Sequence, residues 1–187
     1  MEKHGLDRRE WLEKLMRIDH SLKEQHATAQ LTLIGCAAAI LAGQPDRTSM
    51  DLDVWKPRSR YQLPTLKKAV EAAGLLFDPK STLEPDTPYI QLIEPGIVQT
   101  GNFKRTESLE QFEALRLDRP PIANLIASKL IRADAKDLED IAFLLSRYDL
   151  SRRGIEQVVK TMPPRAREKA SGNLVYLDVM GRKKGHI

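Results

Sequence analysis

Cysteine is almost absent from this chain of 187 residues: Cys36 is the only one. A single thiol excludes an intrachain disulfide and any cysteine-based metal cluster, and it fits a reducing compartment. Aromatic residues are also scarce, at 5%, so the core is expected to be aliphatic and rich in helix. Long apolar runs are missing. The most apolar stretch, LTLIGCAAAILAG, falls well short of the roughly 20 residues a spanning helix needs, and charges interrupt MEKHGLDRREWLEKLMRIDH, so no signal sequence is read at the start. The expected setting is cytoplasmic, with no membrane partner. His4, His20, His26 and His186 show no spacing of zinc ligands.

What is present is charge and aliphatic bulk: 30% charged residues, 41% hydrophobic, and a formal net charge of +4. The length suits one compact core with a helical appendage. Part of the positive excess sits at Arg182, Lys183, Lys184 and His186. Such an end either meets phosphates or is simply a solvated terminus.

Residues 8–29 place Trp11, Leu12, Leu15, Met16 and Leu22 at the spacing of an amphipathic helix. LTLIG then reads as a short strand ending in a glycine turn, and CAAAILAG as a helix closed by Gly43. After the polar loop QPDRTS, MDLDVW alternates Met50, Leu52 and Val54 against Asp51 and Asp53, the pattern of a two-faced strand. A helix over residues 64–73 opens with Pro64 and closes at Gly74. PYIQLIEPGIVQTGNF predicts two strands around a Pro95–Gly96 turn, and FEALRL a further short strand. Beyond residue 121 the periodicity becomes helical in IANLIASKLIRAD, KDLEDIAFLLSRY, SRRGIEQVVKTM and a last helix within PPRAREKASGNLVYLDVM. The predicted fold is therefore α/β: an N-terminal helix and mixed core over residues 1–120, then a helical bundle over residues 121–187.

Chemistry concentrates on Asp51 and Asp53. Two residues apart on a strand, they project from the same face with Cα atoms about 6.6 Å apart. One hard cation can bridge them, and magnesium binds in this way through one or two carboxylates plus phosphate oxygens of a substrate. On an exposed strand the same pair is equally consistent with solvated surface acids. Nearby features extend the metal reading: Gly35 allows backbone amides to approach a phosphate, the helix after it adds a favourable partial charge, and the loop before the strand carries Arg47 and Ser49.

The stretch GCAAAILAGQPDRTSMDLDVW resembles the first motif of the DNA polymerase beta-type nucleotidyltransferase superfamily, in which G-[GS] and a helix precede R-x-[ST]-x-D-h-D. Gly35, Arg47, Ser49, Asp51 and Asp53 match, while Cys36 stands where a second Gly or Ser is usual. A second stretch, LIASKLIRADAKDLEDIAFLL, is similar to the K-L-x-A and R-D-x-x-D-[LI] pattern of the abortive-infection (AbiEii-like) nucleotidyltransferases of bacterial toxin–antitoxin pairs. Lys129 matches the lysine and Asp137 and Asp140 the two acids, with Lys136 where Arg is common. Together the motifs span about a quarter of the chain.

The resemblance implies a nucleotidyltransferase-type core that moves a nucleoside monophosphate from an NTP to a hydroxyl of RNA, notably tRNA, or of a protein. It implies Mg2+ (or Mn2+) on Asp51 and Asp53, nucleotide contacts at Gly35, Cys36, Arg47, Ser49, Asp137 and Asp140, and a cognate antitoxin as partner. Because a third metal-site carboxylate is usual in active members, Glu94 is the candidate, sharing a strand face with Ile90 and Leu92; Glu113 is the runner-up. Lys129 lies on the inward face of its helix with Leu125 and Ile126. It either neutralises triphosphate or pairs with Asp137 or Asp140 as scaffold. The alternative function is a binding module of the same fold, an antitoxin, adaptor or nucleic-acid binder without transfer.

Overall fold

The computed structural model describes residues 5–79 and 86–182; His4 and the basic residues Lys183, Lys184 and His186 lie outside that range. The chain is α/β and divides into two compact units, residues 1–95 with 106–119 and residues 96–105 with 120–187.

The first unit opens with helix α1 (Arg8–Glu24), started by a reciprocal cap in which the Asp7 side chain accepts from the Glu10 amide and the Glu10 side chain accepts from the Asp7 amide. Trp11, Leu15, Ile18 and Leu22, spaced by four and three, form its buried stripe. Strand β1 (Ala29–Thr32), helix α2 (Gly35–Leu41) and strand β2 (Asp51–Trp55) follow, then a 3-10 turn at Lys56–Arg58 and helix α3 (Leu63–Ala72) with Pro64 in its first turn. Strands β3 (Leu76–Phe77), β4 (Tyr89–Ile93), β5 (Glu107–Gln111) and β6 (Leu115–Arg119) complete it.

Among the described residues these strands form two three-stranded sheets. In one, β6 lies between β1, parallel to it, and β5, antiparallel with an irregularity between Ser108 and Glu110. In the other, β4 lies between β2 and β3, all parallel. A single antiparallel bridge, Leu33 with Val54, joins the end of β1 to β2, and the Ile34 amide donates to the Asp53 carbonyl at 3.1 Å. Leu52 and Val54 are buried between half-exposed neighbours, and Ile90 and Leu92 lie level with them and are buried too. That alternation fixes which face of β2 is packed. α2 packs on β2, and α1 on α3 and β6.

The second unit is helical: α4 (Ile122–Leu130), α5 (Ala135–Arg147), α6 (Arg152–Lys160), α7 (Pro164–Gly172) and α8 (Val175–Arg182). Asp134 caps α5 through the Asp137 amide at 2.9 Å, and Ser151 caps α6 through the Gly154 amide at 3.1 Å. Residues 96–105 belong to this unit. Asn124 donates to the carbonyls of Thr100 (2.8 Å) and Asn102 (3.2 Å), and the Asn102 amide donates to Thr161 Oγ1 (2.8 Å). Gly101 has φ +68°, and a Cβ there would stand 2.7 Å from Val158 Cγ1, so only glycine fits.

Several boundaries differ from those read in the sequence. The strand expected at LTLIG starts two residues earlier and ends three earlier, over Ala29–Thr32, and the one expected at FEALRL runs over Leu115–Arg119. Residues 97–103 form no strand after Pro95–Gly96; there the Thr100 and Asn102 carbonyls and the Asn102 amide bond to the side chains of Asn124 and Thr161 instead of to a neighbouring strand. The last helix is two, broken at Asn173, whose side chain donates to the Leu130 carbonyl at 2.7 Å. β3 and β5 had no legible signal in the sequence. No helix among the described residues is long and apolar enough to cross a membrane.

Candidate metal and nucleotide site

Asp51 and Asp53 project from the half-exposed face of β2, opposite the buried Leu52 and Val54. Ser49, two residues upstream, donates its hydroxyl to Asp51 Oδ1, and its oxygen lies 3.4 Å from the Asp51 amide. This contact fixes the orientation of Asp51.

Gly35 meets the pair from α2. Its φ is +65°, and a Cβ built on it would lie 2.7 Å from Asp53 Oδ2. The backbone at the start of α2 therefore approaches the Asp53 carboxylate more closely than a side chain allows. Two contacts hold this apposition: the Leu33–Val54 bridge and the bond from Ile34 to the Asp53 carbonyl. Cys36 and Arg47 are half-buried on the elements flanking the pair, Cys36 on α2 and Arg47 in the loop leading to β2.

β4 contributes residues the sequence motifs did not single out. In its parallel register Tyr89 is level with Asp51 and Gln91 with Asp53. Burial, and after it the negative charge of Asp51 and Asp53, pushes the Tyr89 phenol above the ordinary tyrosine value of 10.0. The alternation in PYIQLI does put Tyr89 and Gln91 on one face. That this face adjoins the two aspartates depends on pairing between strands distant in sequence, which periodicity does not reveal.

Glu94 does not join the pair. The even-numbered residues of β4 lie level with Leu52 and Val54, so its alternation leads to the opposite side of the sheet from Asp53. Its carboxylate instead receives Lys56 Nζ at 2.7 Å. Glu113 pairs with Lys23 of α1. Among the described residues no group of three His, Cys, Asp or Glu side chains converges on a metal-sized site. A further buried acid, Asp118 of β6, was missed in the sequence and is fully engaged, accepting from Gln30 (2.5 Å), Arg116 (2.8 Å) and Thr106 (3.0 Å).

In the helical unit, Lys129, Asp137 and Asp140 do come together. Lys129 is 7% exposed; its Nζ lies 2.6 Å from Asp140 Oδ2 and 3.4 Å from Asp137 Oδ1. Asp137 also accepts a two-pronged contact from Arg132, at 2.8 and 3.0 Å. The Asp137 carboxylate raises the Arg132 guanidinium further, and the Asp137 amide, followed by Arg132, lowers the Asp134 carboxyl below its usual value. Loop, helix start and helix body are thus tied by one ionic cluster. No protein-family model matches this chain, and comparison with curated proteins and with solved structures likewise finds no match.

Proposed function

We propose that this chain is a nucleotidyltransferase of the DNA polymerase beta type, related to the abortive-infection group, that moves a nucleoside monophosphate from an NTP to an acceptor hydroxyl with release of pyrophosphate. The observation that carries this reading is the apposition of Gly35 to Asp53 beside Asp51. Two carboxylates on one strand face, with a glycine turn packed against one of them, supply oxygen donors for a hard divalent cation beside backbone that carries no Cβ.

The donor chemistry fits magnesium or manganese, both of which favour carboxylate oxygen. Asp51 and Asp53 would hold the ion. When bound, it neutralises phosphate charge and orients attacking and leaving oxygens. Ser49 keeps Asp51 in place through its hydroxyl. Gly35 brings the start of α2 against Asp53, and the backbone around Cys36 and the side chain of Arg47 are the phosphate contacts of this reading. Lys129, Asp137 and Asp140 take the scaffold role in this reading, since the ammonium is buried against both carboxylates.

The acceptor in this proposal is a tRNA or a protein hydroxyl, and the biological role that of the toxin of a toxin–antitoxin pair. Incubating the chain with each α-labelled NTP, magnesium and total RNA tests it. Label moving to RNA or to protein, lost in Asp53→Asn, supports the proposal. NTP binding without any transfer makes the chain a binding module, and neither binding nor transfer removes the reading.

A further inference from the structure

The site as proposed stands on β2, yet β4 forms the adjoining half of the same face. Gln91 is the register partner of Asp53, and strands in a sheet lie ~4.8 Å apart with level residues projecting to one side. Buried Ile90 and Leu92 on either side hold β4 in this register, because a slip by one residue would expose them. Gln91 itself is half-buried on the face it shares with Asp53. An amide oxygen is an acceptable ligand for magnesium or manganese beside carboxylates.

Charge separates this arrangement from one with an acid at the same position. Three carboxylates side by side on one sheet face repel one another when no ion is present, as like charges on neighbouring strands do. With an amide level with Asp53, the two negative charges of Asp51 and Asp53 match one divalent ion.

We infer that Gln91 is a third protein ligand of the cation held by Asp51 and Asp53, presenting its amide oxygen level with Asp53. The inference rests on the nucleotidyltransferase reading of that pair. It adds to the site a residue that the sequence motifs do not contain.

The test is a titration of the full chain with Mn2+ alone, following free ion by electron paramagnetic resonance, for wild type, Gln91→Ala, Gln91→Glu and Asp53→Asn. Circular dichroism confirms that each variant is folded. The expected result is one saturable Mn2+ per chain, weakened roughly tenfold in Gln91→Ala, a loss of the size seen when groups supporting a metal are removed. Binding tightens in Gln91→Glu and is lost in Asp53→Asn. If both Gln91 variants bind like wild type while Asp53→Asn loses the ion, Gln91 leaves the ligand set and the pair survives as a site. If wild type itself binds no saturable Mn2+, the site reading falls and this inference with it.

Discussion

Replacing Lys129 by methionine keeps the aliphatic stem and removes the charge at the centre of the ionic cluster in the helical unit. The side chains concerned are nearly inaccessible: 7% exposed for Lys129, 4% for Asp137 and 1% for Asp140. Asp137 keeps its two contacts to Arg132, so the main loss is the 2.6 Å contact to Asp140. Taking one partner from a buried pair costs about 3–5 kcal/mol, most of it from the carboxylate left behind. At roughly 2–4 °C per kcal/mol for a chain of this size, the midpoint should fall by roughly 6–20 °C. Arg132→Ala gives the internal contrast. Arg132 is 70% exposed, and a solvent-screened pair contributes only about 0–1 kcal/mol. The double variant Lys129→Met/Asp140→Leu should recover much of the loss, because it removes both charges of the 2.6 Å pair together. Urea unfolding followed by circular dichroism reads all three variants. A Lys129→Met chain within about 1 kcal/mol of wild type, or a double variant no better than the single, would refute the scaffold assignment. A fall in NTP affinity at unchanged stability would instead return Lys129 to the nucleotide site.

Gly35→Ala should cost about 1–2 kcal/mol for its left-handed backbone and, by pressing a methyl to within 2.7 Å of Asp53 Oδ2, weaken cation binding, read by melting with and without Mn2+. Gly101→Ala combines the same backbone penalty with a methyl 2.7 Å from Val158 Cγ1 and should destabilise the helical unit by roughly 2–4 kcal/mol, with amide exchange rising first in α6. The Tyr89 phenol should titrate above the ordinary tyrosine value and move down in Asp51→Asn and in Asp53→Asn, measured as the ultraviolet difference against Tyr89→Phe; an unchanged titration would separate Tyr89 from the two aspartates.

Local signals carried into the structure where the cause was itself local. The apolar spacing of Trp11, Leu15 and Leu22, the Pro64 start of α3 and the alternation of Asp51 and Asp53 around Leu52 each depend on a few neighbouring residues and are found as read, whereas Leu12 lies at the margin of the α1 stripe and Met16, read with it, is exposed. Gly43 and Gly74 lie just past α2 and α3 with φ of +96° and +72°. Readings that required a distant partner fared differently. Glu94 was placed by its own strand's alternation, but which face meets Asp53 is set by the register of β4 on β2. The hairpin expected at Pro95–Gly96 needed a second strand, and Asn124 and Thr161 capture that segment instead. The pairing of Lys129 with Asp140, eleven residues on, was legible because helix spacing on both sides of a short turn places them face to face.

Whether Asp51 and Asp53 hold a divalent cation on a nucleoside triphosphate is measured directly by calorimetric titration of ATP, GTP, CTP and UTP into the chain, with magnesium and with EDTA. At least one NTP should bind with magnesium, EDTA should abolish the binding, and Asp53→Asn should do the same while its circular dichroism stays that of wild type. Magnesium-dependent NTP binding that persists unchanged in both Asp51→Asn and Asp53→Asn, or no binding by wild type at millimolar NTP, would contradict this role of the pair.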